Sequence, residues 1–198
     1  MASNARLDDF RKHKDAYFAS GAHSPLEHEQ QHRFQGLAYF EYEPALQFEL
    51  EVDASPHQGS PLTLDTSDGQ KVDFFIAGIV RFMVGSGYYE LALLRDADRG
   101  RFFLPFADRT NGLETYAGGR YLDPQEKPDG TIMIDFNYAY NPYCAYSDGW
   151  SCPLPPEANQ LPVQIRAGEK AFRLDEAPHR ACHPCHEMRP APRGSTTG

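Results

Sequence analysis

Several features that announce a function are missing from this sequence. No apolar run approaches the ~20 residues that a membrane-spanning helix requires, and the opening "MASNARLDDFRKHKD" alternates charge where a secretion signal needs an uninterrupted apolar stretch. The chain is therefore expected to be cytoplasmic, with no membrane partner. No Lys/Arg cluster is longer than "RKHK" at residues 11–14, and 28 acidic against 19 basic residues give a formal net charge of −9. That balance repels phosphate backbones, so no nucleic-acid partner is expected. There is no Gly-rich phosphate loop, no Ser elbow, no paired acid motif and no fingerprint from which a cofactor can be named. No histidine lies between His57 and His179, so a Cys-His dyad built on Cys144 would have to recruit its base from the N-terminal part. Nothing in the pattern fixes an oligomeric state.

What is present is a globular composition. The 198 residues are 40% apolar and 13% aromatic, enough for one domain that buries roughly 70% of its unfolded surface around large flat side chains. Leu7, Phe10, Tyr17 and Phe18 fall on one stripe of a helix over residues 6–20, with Gly21 as its stop. Ser24, Pro25 and Glu27 then predict the start of a second helix through an S-x-x-E capping box.

From Gly36 the period changes to two: Leu46, Phe48, Leu50 and Val52 alternate with Gln47, Glu49, Glu51 and Asp53. Further strands are expected at "LAYFEYE", "LTLD", "KVDFFIAGIVRFMV", "YYELALLR", "RFFLPF", "TIMID" and "PVQIRA". Their short connections suit antiparallel hairpins. The expected fold is mainly β (α+β), an antiparallel barrel-like or sandwich sheet with two N-terminal helices. It occupies residues 1–171 as a single domain, followed by a flexible C-terminal tail over residues 172–198.

Three separated segments, "FLPFADRTNGLETYAGGRYLD", "DFNYAYNPYCAY" and "CPLPPEANQLPVQIRAGEK", together resemble the prokaryotic domain-of-unknown-function family DUF1684, in the expected order and up to about Lys170. The resemblance implies that residues in these motifs matter to the family and names no activity or cofactor. The tail from Phe172 lies outside its pattern.

Within the motifs, polar groups gather among aromatics. Asp108 and Arg120 read either as a charged pair at a pocket rim, Arg120 clamping a carboxylate or phosphate, or as a structural salt bridge under a loop. Gly118 and Gly119 supply backbone freedom or a close approach. Asp135, Asn137, Tyr140 and Asn141 read either as convergent groups around a ligand or as side chains tying a loop to its own backbone. Cys144 and Cys152 could close a small loop as a disulfide, worth roughly 2 to 3 kcal/mol, or stay as buried thiols. Pro153, Pro155, Pro156 and Pro162 predict a stiff strap over the core. In the tail, "CHPCH" matches a haem-attachment spacing and offers Cys182, Cys185 and His186 to zinc. The function this supports is a small-molecule-binding domain with a pocket from Asp108, Arg120, Asp135, Asn137, Tyr140 and Asn141. A structural or protein-interaction module without catalysis is the rival, and zinc binding through the tail a third reading.

Overall fold

The computed structural model describes residues 4–54, 58–98 and 100–174. The described residues form two N-terminal α-helices and then an antiparallel, curled half-barrel of strands. Helix α1 (Ala5–Ser20) is capped by the Asn4 side chain and stops at Gly21. Helix α2 (His28–Arg33) starts later than expected. The Ser24 hydroxyl donates to Phe18 O at the end of α1, so the capping box is made instead by Glu27 and Gln30.

Five strands form a meander in the order β2 (Pro61–Asp65), β3 (Lys71–Val84), β4 (Gly87–Asp96), β5 (Phe102–Phe106) and β6 (Arg120–Leu122). A second sheet places β8 (Ile132–Asp135) between β1 (Gln47–Leu50) and β7 (Gln125–Glu126). The long apolar run of β3 has a specific cause. Its register against β4 skips a residue between Ile76 and Gly78. Because side chains alternate faces, one extra residue flips the pattern. Phe74 and Ile76 therefore pack with Leu64 and Leu94 on one face, whereas Val80 and Phe82 pack with Leu91 and Leu93 on the other.

The bulge is also where the sheets join. Asp53 exchanges both backbone hydrogen bonds with Ile79, each 2.9 Å, and a Cβ on Gly78 would lie 2.5 Å from Val52. Only glycine admits that approach. The main core fills the space between the sheets, where Ile132, Ile134 and Phe136 meet Leu104, Phe106 and Leu122. A smaller aromatic core of Phe18, Leu26, Leu37 and Tyr146 attaches the helices.

Two expected strands are absent. "LAYFEYE" makes a single bridge, Tyr39 to Glu169, and "PVQIRA" runs without a neighbouring strand. The segment 153–170 is instead a strap whose backbone groups are met one by one. Leu154 N donates to Asp65 O, Leu161 N to Ala107 O and Arg109 N to Val163 O. Gly119, with φ of 94°, sits where a Cβ would lie 2.5 Å from Pro155, which explains the glycine opposite the proline series.

Asn159 locks the strap to the sheet: fully buried, it accepts from Ala92 N at 2.7 Å and donates to Ala92 O at 2.9 Å and Pro105 O at 2.7 Å. Asn159→Ala would orphan these groups and is expected to cost about 2 kcal/mol, roughly 4–8 °C in a melting experiment.

Candidate functional site

The six residues singled out from the sequence divide between a frame and a cleft. Asp108 follows β5 and is buried with Arg120 of β6; both side chains have 0% exposure, and Nη2 of Arg120 lies 2.7 Å from Oδ2 of Asp108. The other carboxylate oxygen accepts from the Thr110 backbone at 2.6 Å and from its hydroxyl, while Asn111 Oδ1 accepts from Asp108 N at 2.7 Å. Arg120 also donates to three alternate carbonyls of the strap: Ile165 O at 2.7 Å, Ala167 O, and Glu169 O at 3.2 Å. The guanidinium thus supplies the donors that a neighbouring strand would have offered "PVQIRA". Burial pulls its pKa below the ordinary value, opposed chiefly by Asp108. The pair lies in the interior rather than at a rim.

Asp135, Asn137 and Asn141 are likewise committed to the chain itself. Asp135 Oδ1 caps the short 3-10 helix Phe136–Tyr138 by accepting from Asn137 N at 2.9 Å and Asn137 Nδ2 at 2.8 Å. Asn137 then clamps both backbone groups of Glu43, at 2.8 and 2.9 Å. Asn141 donates through its side chain to Lys170 O at 2.8 Å and through its backbone to the Glu169 carboxylate at 2.9 Å. Glu169, 1% exposed, also accepts from Tyr146 OH and Lys14 Nζ, which ties α1 to the strap.

Tyr140 alone of the six lines a cavity. A backbone bridge sets it beside Tyr121, its hydroxyl donates to Asp123 Oδ2 at 2.9 Å, and Lys14 Nζ lies 4.9 Å from its ring centroid. This wall belongs to an open cleft of about 1040 Å³ between α1, the β4–β5 turn, the β6–β7 region and the 140–153 loop. Its rings are continuous: Phe74 stacks on Phe103 at 5.2 Å, Phe103 meets Tyr121 edge-on at 4.8 Å, and Tyr121 meets Tyr140 at 5.8 Å. Trp150, the sole tryptophan, packs at 4.8 Å against Tyr143 on another wall. Burial pushes the Tyr121 and Tyr140 phenols up, keeping both hydroxyls protonated.

Cys144 and Cys152 are free thiols beside this wall. Among the described residues no three His, Cys, Asp or Glu side chains converge to hold a metal ion, and Cys182, Cys185 and His186 lie outside the described residues.

A family model described as "Protein of unknown function (DUF1684)" matches residues 32–170. The chain belongs to this family. Among solved structures, the chain is similar to the solution NMR structure of an uncharacterised protein from Haloarcula marismortui. That likeness has 38% sequence identity and a TM-score of 0.63, covering 84% of this chain and 92% of the other. No curated protein matches the chain.

The DUF1684 match includes the eight strands of the described residues and the strap, whereas α1 precedes it. The cleft draws on both, since Phe10, Lys14, Tyr17 and Phe18 of α1 form one side. Sequence reasoning missed these residues, together with Asn159 and Glu169. The helical stripe of Leu7, Phe10, Tyr17 and Phe18 was visible, but an apolar stripe signals a core face equally well. Among the described residues, no helix is long and apolar enough to cross a membrane.

Proposed function

We propose that this DUF1684 domain binds a small molecule carrying a flat ring system in the cleft, with Tyr140 in direct contact. Asp108, Arg120, Asp135, Asn137 and Asn141 lie outside the cleft and brace the strap and the neighbouring loops. The observation that carries the reading is the unbroken aromatic ladder Phe74–Phe103–Tyr121–Tyr140 facing an open volume of about 1040 Å³. A concavity that joins apolar and aromatic surface with placed polar groups is the usual makeup of a small-molecule site. Lys14, Arg95, Asp123 and Glu126 are among the polar groups.

The rival reading, a structural or interaction module, is favoured by the hydrogen bonds that commit the other five side chains to the chain itself.

The two readings separate in a titration with 8-anilinonaphthalene-1-sulfonate, using Trp150 as an intrinsic reporter. Ligand binding predicts saturable quenching of Trp150 by one dye per chain. Tyr140→Ala should weaken it about tenfold, as expected for losing one aromatic contact. Tyr88→Ala, on the exposed tip of the β3–β4 hairpin, serves as the control. Dye binding that the two variants weaken equally, or no saturable binding at all, would remove the reading.

A further inference from the structure

We propose that Cys144 and Cys152 form a redox-active dithiol that reacts with small disulfides and closes into a Cys144–Cys152 disulfide beside the cleft. The two cysteines bracket seven residues, 145–151, but the fold brings them together. A short 3-10 helix, Tyr143–Ala145, turns the chain so that Cys144 N donates to the Cys152 sulfur at 3.3 Å. A disulfide requires Cβ atoms about 3.5–4.5 Å apart, and a Cys152 sulfur held 3.3 Å from the Cys144 backbone nitrogen sits within one side chain's reach of the Cys144 sulfur.

The surroundings divide the roles. Cys144 is half-buried, less enclosed than Cys152, and its sulfur lies 3.5 Å from Tyr116 OH. Cys152 is 6% exposed, lines the cleft and is fixed by a backbone bond to Ser67 Oγ at 3.2 Å. The hydrogen bond from Cys152 lowers the Cys144 pKa most, burial opposes it, and the Tyr116 and Ser67 hydroxyls lower it further, to about 6. Cys152, hydrogen-bonded to that thiolate and desolvated, is pushed well up and keeps its proton. An accessible thiolate beside a protonated, buried thiol is the division between an attacking and a resolving cysteine.

The chemistry balances with a low-molecular-weight disulfide, RSSR, as oxidant. The Cys144 thiolate attacks one sulfur of RSSR; the S–S bond breaks, a Cys144–SR mixed disulfide forms and RS⁻ leaves. Cys152 then gives its proton to solvent and its sulfur attacks the Cys144 sulfur, expelling a second RS⁻. Both leaving groups take protons to become RSH. Counted from the fully protonated dithiol, the protein loses two electrons and two protons, one of them released when Cys144 ionises, and RSSR gains the electrons in the exchange and the protons through solvent. This inference does not require a ligand in the cleft, so it stands or falls apart from the function proposed above.

The test uses the full chain carrying Cys182→Ser and Cys185→Ser, incubated reduced with glutathione disulfide and read by intact mass and peptide mapping. Closure predicts a species lacking two hydrogens, with peptides 144 and 152 joined and little stable glutathione adduct. Cys152→Ser should instead trap about one glutathione per chain at Cys144, because nothing resolves the adduct. Reaction of Cys144 should follow a pH midpoint near 6 rather than the ordinary value of about 8.5. Tyr116→Phe should move that midpoint upward, an effect that a purely structural role would not produce. Closure should also change Trp150 emission, since the bond closes the loop that carries it. A persistent glutathione adduct on Cys144 when Cys152 is present overturns the proposal. So does a folded protein in which neither thiol reacts.

Discussion

Asp108→Asn is expected to destabilise the fold by about 3–5 kcal/mol, the usual cost of stranding one buried charge without its partner. For a domain of this size that is roughly 10 °C or more in melting temperature. The asparagine keeps the shape of the side chain and can still accept from Thr110, so the loss isolates the charge. Arg120→Met should cost at least as much for a different reason. It strips donors from Ile165 O, Ala167 O and Glu169 O as well as from Asp108. Each buried acceptor left unpaired costs about 1–3 kcal/mol. Removing both charges of a buried pair is often neutral. Here Asp108→Asn/Arg120→Met should nevertheless remain well below the parent, because the three carbonyls stay orphaned. Arg120→Lys should fail too, since an ammonium lacks the planar fork that serves several acceptors at once. A double variant melting within a few degrees of the parent would show that the guanidinium does not latch the strap.

That double role marks where the sequence stops being legible. The strands β3, β4 and β5 were readable because their partners are strands close in sequence, and hairpin signals separate them. "PVQIRA" has the alternation of a strand but is paired by Arg120, more than forty residues earlier, and no local pattern encodes a side chain as a pairing partner. The motif "DFNYAYN" drew attention because it mixes acids, amides and rings. Buried polar groups must be paired whether the partner is a ligand or the backbone. Composition alone cannot separate these cases, and Asp135 and Asn137 turned out to hold each other and Glu43. The cleft was hidden for a related reason. Its walls come from α1, a hairpin turn and the 140–153 loop, and the alignment of their rings exists only in three dimensions.

Lys14→Met is the second large effect expected, because it removes the ammonium paired directly with the buried Glu169 carboxylate. Asn141 N and Tyr146 OH would remain as neutral donors. A stranded charge costs about 3–5 kcal/mol, but α1 has an escape that the strap lacks. It can undock, so the loss is capped by what holds it, mainly Leu7 and Phe18, worth about 2 kcal/mol each or a little more. The expected result is therefore a fall of about 3 kcal/mol, roughly 6–12 °C, accompanied by faster chymotrypsin cleavage at Phe10 and Tyr17 and loss of dye binding in the cleft. Glu169→Gln should cost less. Lys14 is 14% exposed, and its long stem can carry the ammonium to water, whereas the carboxylate cannot move out of the core. Adding Glu169→Gln to Lys14→Met should then restore most of the lost stability and the protease resistance. A double variant no more stable than Lys14→Met alone would mean that Leu7 and Phe18 hold the helix by themselves and the ion pair does not tether it.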